Sequence, residues 1–95
     1  MRIVWLPSAR TDTVNARRYI EQHDRGAAQR VSSAIRAAVR QVGEAPGLGH
    51  PGRVARTREL VVPRTPYILA YSVVADRLII LGVIHGAQEW PEDFG

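Results

Sequence analysis

The sequence contains no cysteine and no lysine, and only 6% of its residues are aromatic. The absence of cysteine excludes disulfide bonds and thiolate metal sites. The three histidines, His23, His50 and His85, are scattered along the chain, and His50 and His85 are distant from each other and have no fixed carboxylate beside them. Scattered histidines of this kind do not predict a metal site. We therefore expect neither a metal nor another cofactor.

The chain also lacks long apolar runs. None approaches the roughly 18 residues of a membrane span, and residues 1–7 lack the apolar stretch of a signal peptide. We expect no membrane association and a cytoplasmic location. A length of 95 residues with 45% hydrophobic and 23% charged residues is typical of one soluble globular domain, residues 1–95.

All 13 basic side chains are arginine, and they outnumber the 9 acidic ones to give a net charge of +4. Guanidinium groups bind phosphate or carboxylate in a bidentate fork and tolerate burial better than ammonium groups do. The charge therefore favours an anionic partner, either nucleic acid or an acidic protein. Coding bias in a GC-rich genome explains the missing lysine equally well.

The first half of the chain predicts one strand and two helices. Residues 2–6 form a β-rich run that ends at Pro7, and Ser8 occupies the N-cap position of a helix over residues 9–22. Four residues form the apolar face of this helix: Ala9, Ala16, Tyr19 and Ile20. Asp24 is the predicted N-cap of a second helix, which extends to about Val42.

The buried stripe of the second helix follows steps of three and four residues. It consists of Ala28, Val31, Ile35, Ala38 and Val42. The glycines and prolines of residues 43–52 predict a loop without a regular element.

Three β-type runs follow, over residues 57–62, 67–74 and 77–84. Residues 63–66 separate the first two runs, and Ala75 and Asp76 form a tight turn between the last two. Residues 78–81 are apolar on both faces, which is typical of a central strand. The β-α-α-β-β-β order predicts an α+β fold in which a helical hairpin packs on one face of a mostly antiparallel sheet.

Several short motifs, each present once, follow one another along nearly the whole chain. They are residues 3–5, Ala9 with Asp12, Tyr19-Ile20, Ala27-Ala28, residues 57–60, residues 66–68, Tyr71, residues 83–85 and Trp90-Pro91. In this order the sequence resembles the RelE/ParE toxin superfamily of bacterial type II toxin–antitoxin modules. The resemblance implies the RelE/ParE-like toxin fold and a cognate antitoxin that wraps an arm around the toxin.

The resemblance leaves two targets open. RelE-like members cut messenger RNA in the ribosomal A site, whereas ParE-like members inhibit DNA gyrase without known catalysis. The cutters are expected to carry Tyr-Arg-x-x-Tyr on a strand, but here Ile68 directly follows Tyr67. Isoleucine cannot stabilise the negative charge of a phosphorane. This departure favours the ParE-like branch and inhibition of gyrase.

Two alternatives remain. In a ribosome-dependent endoribonuclease, His85 would act as the acid and Arg58 would stabilise the phosphorane charge. A histidine at a strand end also commonly makes a structural hydrogen bond, and Arg58 could form a surface ion pair. In the other alternative, the chain is a degenerate member that binds antitoxin and inhibits nothing.

Four arginines, Arg53, Arg56, Arg58 and Arg64, occur within twelve residues with Glu59 as their only acidic neighbour. This local excess predicts contact with an anionic antitoxin or target, although a solvated basic face is the simpler interpretation. Strand alternation places Arg58 and Glu59 on opposite faces of the sheet.

Three aromatic residues complete the candidate binding residues. Tyr67 and Tyr71 lie on one face of a strand, where they could stack on bases or pack in the core. Trp90 belongs to an acidic tail, residues 86–95, and could shield a sheet edge or dock on the target. The sequence leaves the oligomeric state open.

Overall fold

Two helices pack against one face of a five-stranded sheet in the computed structural model, which describes residues 1–94. The elements in chain order are β1 (Arg2–Trp5), α1 (Pro7–Glu21), α2 (Arg25–Glu44), β2 (His50–Pro51), β3 (Arg58–Val61), β4 (Tyr67–Val74) and β5 (Arg77–His85). Gly95, the final residue of the predicted domain and tail, lies outside the described residues.

The strands lie side by side in the order β1-β5-β4-β3-β2. β1 runs parallel to β5, and the other neighbouring strands are antiparallel. The predicted α+β architecture with a mostly antiparallel sheet is confirmed. The run over residues 78–81 lies in β5, an inner strand, as predicted.

The start of α1 differs from the prediction. The helix begins at Pro7, and its N-cap residue, Leu6, makes no side-chain capping bond. Proline suits the first helical position because its missing N–H would have no partner there. Ser8 therefore lies inside the helix, and its hydroxyl donates a hydrogen bond of 3.4 Å to the carbonyl of Leu81.

A bulge in β5 explains the contact of Ser8. Tyr71 is opposite Ile80 and Ala70 is opposite Gly82, so Leu81 is an extra residue between the two pairs. A bulge interrupts the regular ladder of backbone hydrogen bonds. The hydroxyl of Ser8 provides a donor to the carbonyl of this extra residue.

The prediction for α2 is confirmed at its start and along its buried side. The side chain of Asp24 accepts a hydrogen bond of 3.1 Å from the amide of Ala27. The predicted stripe faces the sheet, with Ala28, Ile35, Ala38 and Val42 buried and Val31 half-buried. In α1, Ala9 and Ala16 are buried, but Tyr19 is 59% exposed and does not belong to the core.

The prediction that residues 43–52 contain no regular element is wrong. A single 3₁₀ turn (Pro46–Leu48) and the two-residue strand β2 lie in this segment. The hydroxyl of Tyr71 donates to the carbonyl of Pro46 at 2.7 Å and accepts from the amide of Gly49 at 2.8 Å. This tertiary contact holds the glycine-rich segment against the sheet.

The core lies between the helices and the face of the sheet that carries Leu69, Tyr71, Leu78 and Ile80, which we call the helix face. The opposite face, which we call the second face, carries Glu59 and Ala70 as register partners. Ala70 is fully buried. The ring of Phe94 lies close to Gly82, the register partner of Ala70. A Cβ atom added to Gly82 would be 3.2 Å from the Cε1 atom of Phe94. The C-terminal segment thus packs against β5.

Candidate binding surfaces

The four arginines of residues 53–64, which we call the basic segment, fall into two groups. Arg58 and Glu59 point to opposite faces as predicted, since they are opposite Tyr71 and Ala70 in β4. The guanidinium groups of Arg53 and Arg58 bind other parts of the chain. Those of Arg56 and Arg64 are exposed and make no hydrogen bond or ion pair within residues 1–94.

Arg53 binds Glu59 through three hydrogen bonds. Its amide and its Nε donate to Oε2 at 2.8 and 3.1 Å, and its Nη2 donates to Oε1 at 3.1 Å. Only 2% of Glu59 is exposed. Burial acts to raise the pKa of Glu59, but the hydrogen bonds and charge of Arg53, with the charge of His50, hold that pKa below its ordinary value.

Trp90 covers the other side of Arg53. The guanidinium carbon of Arg53 lies 3.7 Å from the centre of the indole ring, which is a cation–π contact. The indole N–H of Trp90 is buried and has no hydrogen-bond partner among residues 1–94. Two predicted partner-binding residues, Arg53 and Trp90, therefore contact each other on the second face.

Arg58 holds the loop that precedes β2. Its Nε donates to the carbonyl of Gly49 at 2.9 Å, and its Nη2 donates to the carbonyl of Gly47 at 3.2 Å. Both acceptors are neutral, so the charge of Arg58 has no counter-ion in these bonds. Its guanidinium stabilises a local loop structure.

His85 ends β5 and Arg58 begins β3, and their partners on β4, the strand between them, are four residues apart. His85 is opposite Tyr67, and Arg58 is opposite Tyr71. Four residues of strand span about 13 Å. The structure therefore does not bring the two candidate catalytic residues together.

The ring of His85 already has local partners. Its Nδ1 accepts a hydrogen bond of 3.1 Å from the amide of Ala87, so the neutral ring carries its proton on Nε2. The ring packs edge-on against Tyr67 with 5.4 Å between centroids.

His50, on β2, is separated from β5 by two strands. Within residues 1–94 no group of three His, Asp or Glu side chains could hold a metal ion.

Tyr67 and Tyr71 both lie in the core cluster, on the face that the sequence predicts they share. Tyr71 is fully buried, and Tyr67 is 8% exposed. Burial and the nearby Tyr19 raise the pKa of Tyr67.

Ile68 points to the second face and is half-buried. The position where an RNA-cutting relative is expected to carry a cation is therefore an apolar part of that face.

A groove of about 980 Å³ lies between α2 and the turn that follows β3. Its floor includes the small or apolar side chains of Ala27, Val31, Ala34 and Ala37. Arg30, Arg40 and Arg64 also line it, and no acidic residue does. We call this feature the α2 groove. It combines an apolar floor with three positive charges.

Residues 3–90 match the family model described as the ParE toxin of the type II toxin-antitoxin system, parDE. The chain belongs to the ParE toxin family. This ParE chain is 44% identical over 93 residues to a Sinorhizobium fredii protein named "Putative toxin Y4kP", with 96% of this chain and 94% of the relative covered. The predicted superfamily and its ParE-like branch are thus confirmed.

A solved structure described as the chromosomal ParDE TA system from P. aeruginosa has the same fold as this ParE chain. The TM-score is 0.80, with 22% sequence identity, and the match covers 90% of this chain and 95% of that chain. Within residues 1–94, neither helix is long and apolar enough to cross a membrane.

The sequence-based interpretation missed two arginines of this ParE chain. Arg30 and Arg40 line the α2 groove, but they lie outside the basic segment and are ten residues apart. Their helix already carried a pattern that could have revealed them. Arg30 directly precedes Val31, the residue of the predicted stripe that is only half-buried. That position marks where the apolar side of α2 reaches the surface.

Proposed function

We propose that this ParE toxin inhibits DNA gyrase by binding it, without hydrolysing a substrate, and that its cognate antitoxin neutralises it in the cytoplasm. The observation that carries the non-catalytic part is the separation of His85 from Arg58. RNA cleavage requires a proton donor and a cation around one phosphate. These two residues lie about four residues of strand apart, which is about 13 Å, and each is bound to neighbouring backbone.

The charge distribution supports an acidic antitoxin segment. The α2 groove offers an apolar floor with Arg30, Arg40 and Arg64 and no opposing acid in its lining. An amphipathic helix with acidic flanks would match both properties, because such helices lay their apolar face into a groove. Arg56 extends the positive surface from the basic segment, since its guanidinium is exposed and makes no bond within residues 1–94.

The other predicted binding residues act through positioning in this proposal. Arg53 packs against Trp90, and Arg58 binds the glycine-rich loop. Tyr71 binds the same loop from the core. Trp90 presents its remaining exposed surface next to Arg53, where it would contact the target. Neither binding event requires a metal or another cofactor.

The experiment is a supercoiling assay with purified gyrase, relaxed plasmid and increasing toxin. We expect supercoiling to stop at a molar excess of toxin and to recover when the toxin is mixed beforehand with its antitoxin. His85→Ala should inhibit as strongly as the unchanged chain, since no catalytic proton is transferred. Normal supercoiling at a large excess of folded toxin would overturn the gyrase proposal.

Cells that express the toxin alone distinguish the remaining alternatives. An SOS response with intact messages agrees with inhibition of gyrase. Codon-positioned cuts in messages that disappear with His85→Ala would instead establish a ribosome-dependent endoribonuclease. Unimpaired growth at high expression would identify a chain that only binds antitoxin.

A further inference from the structure

A second cavity, of about 460 Å³, lies between α1 and the ends of β4 and β5. It is separate from the α2 groove and from the basic segment. Six polar or aromatic side chains define its chemistry: Asp12, Asn15, Tyr19, Tyr67, His85 and Gln88. We call it the tyrosine pocket. Its volume lies within the range of small-molecule sites, which is about 300–1,000 Å³.

Tyr67 is the first observation that points to a ligand. Tyr67 as a whole is 8% exposed, and its hydroxyl makes no hydrogen bond within residues 1–94. The hydroxyl is not sealed off from the surface, because within residues 1–94 the indole N–H of Trp90 is the one fully buried side-chain polar atom without a partner. The Tyr67 hydroxyl is therefore accessible from the pocket and free to bond a ligand there.

Other polar groups of the pocket have unused hydrogen-bonding capacity. The amide of Asn15 makes no hydrogen bond within residues 1–94. Gln88 uses its Oε1 to accept from the amide of His85 at 3.2 Å, which leaves its NH₂ group as a donor. His85 uses its Nδ1, which leaves the Nε2 side of the ring. The pocket therefore offers both donors and acceptors.

The charge of the pocket excludes a phosphate as its occupant. No arginine lines it, whereas Asp12 does. One oxygen of Asp12 accepts from the amide of Val83 at 3.1 Å, and the other is left for a ligand. Burial raises the pKa of Asp12 and outweighs the opposing effect of this hydrogen bond. A phosphate would meet a carboxyl group and no compensating cation.

The ring faces favour a flat ligand. Tyr67 packs edge-on against His85, and Tyr19 is 59% exposed at the same pocket. Tyrosine rings stack on nucleobases, and amide and carboxylate groups pair with base edges. We propose that the tyrosine pocket binds a nucleobase, with Tyr67 and Asn15 hydrogen-bonded to its edge and Tyr19 against its ring. This pocket shares no lining residue with the α2 groove and contains neither Arg53 nor Trp90.

The base could belong to a free nucleoside or to an unpaired position in a strand, and the two sources are distinguishable. The test is isothermal titration of the purified full chain with adenosine, guanosine, cytidine and uridine, and with single-stranded oligonucleotides of each base. Equal affinities per base indicate a free ligand. A tighter, salt-dependent oligonucleotide complex indicates a strand whose phosphates contact arginines outside the pocket.

Three substitutions alter the pocket, and their melting temperatures check that the fold is preserved. Tyr67→Phe removes only the unpartnered hydroxyl, and Asn15→Ala removes an exposed amide. Each should weaken binding of the preferred base about three- to tenfold, the value of one hydrogen bond. Tyr19→Ala should weaken it about tenfold or more through lost stacking. Gln41→Ala removes an exposed amide on α2 that lines neither the tyrosine pocket nor the α2 groove, so it is the matched control and should leave binding unchanged.

Saturable binding that Tyr67→Phe and Asn15→Ala both weaken, with unchanged melting temperatures, supports the pocket assignment. Absence of binding by every nucleoside and oligonucleotide at millimolar concentration overturns it. Binding that depends on salt but is insensitive to the three pocket substitutions also overturns it, because the contact would then be with surface arginines.

Discussion

The basic segment and the α2 groove share Arg64, but they differ in how many of their arginines are bound within the chain. In the basic segment, Arg53 binds the buried Glu59 and Arg58 binds two loop carbonyls. In the α2 groove, Arg40 and Arg64 make no such bonds within residues 1–94, and Arg30 has only a 3.9 Å contact with the exposed Asp24. The density of charge along the sequence is therefore a poor guide to the charge available to a partner.

The largest expected effect is on antitoxin binding. If this effect were absent, the arginines of the α2 groove would be no more available to a partner than those of the basic segment. Replacing Arg30, Arg40 and Arg64 together by glutamate should reduce antitoxin affinity on the order of 100-fold, because an acidic segment would then face like charges. Titration calorimetry at two salt concentrations measures the change.

The matched control for the groove variant is replacement of Arg10, Arg18 and Arg77 by glutamate. These exposed arginines make no ion pair within residues 1–94, and the change in net charge is the same. The control should reduce affinity only a fewfold and mainly at low salt. Equal losses in the two variants would mean that overall charge, and not the α2 groove, attracts the antitoxin.

The next effect concerns stability and compares an ion pair whose carboxylate is buried with one that is exposed. Glu59→Gln should lower the free energy of unfolding by about 2 kcal/mol, since charged hydrogen bonds to a buried carboxylate are lost while half-exposed Arg53 is partly resolvated. Glu21→Gln breaks the exposed pair with Arg17 and should change it by less than about 0.5 kcal/mol. Urea unfolding measures both.

The stability contributed by Glu59 should also depend on pH. Its pKa is lower in the folded chain than the ordinary value of 4.5. The contribution is therefore present above that ordinary value and is lost as the pH falls through the lower, folded-state pKa. The difference between the unchanged chain and Glu59→Gln should shrink in acid. A difference that stays constant down to pH 2 would contradict the assigned ionised pair.

The smallest expected effect is the contribution of the Trp90–Arg53 contact to the free energy of unfolding. Trp90→Ala should lower the free energy of unfolding by about 1 kcal/mol through loss of the cation–π contact and packing, and Trp90→Phe should retain part of it. In a Trp5→Phe background, Trp90 is the only tryptophan, so its fluorescence reports contact with the target directly. An unchanged stability of Trp90→Ala would show that the ring contributes no net stabilisation.

Local patterns predict the parts of the fold that local physics decides. The spacing of apolar residues identified the buried stripe of α2, the carboxylate of Asp24 caps that helix, and Ala75 adopts the left-handed conformation of the predicted turn with φ of 55°. Each of these features depends on residues close together in the sequence. Ser8 was misjudged because Pro7 can itself occupy the first helical position.

The surfaces were less predictable because they depend on distant contacts. The regular structure within residues 43–52 is held by contacts from later strands: Tyr71 and Arg58 bind its backbone, and β2 pairs with β3. The α2 groove joins residues of one helix to a turn more than twenty residues later. The hydroxyl of Tyr67 and the amide of Asn15 meet in one pocket through the same long-range packing.

The short edge strand β2 has a consequence for the toxin when it is free of its partner. β2 has two residues, and one of them is Pro51, which has no amide hydrogen. An open sheet edge is a template on which other chains can add strands, and proline and brevity both prevent this. Because Tyr71 and Arg58 fasten the chain just before β2, this edge stays blunt. A released toxin molecule is thereby protected there from edge-to-edge aggregation.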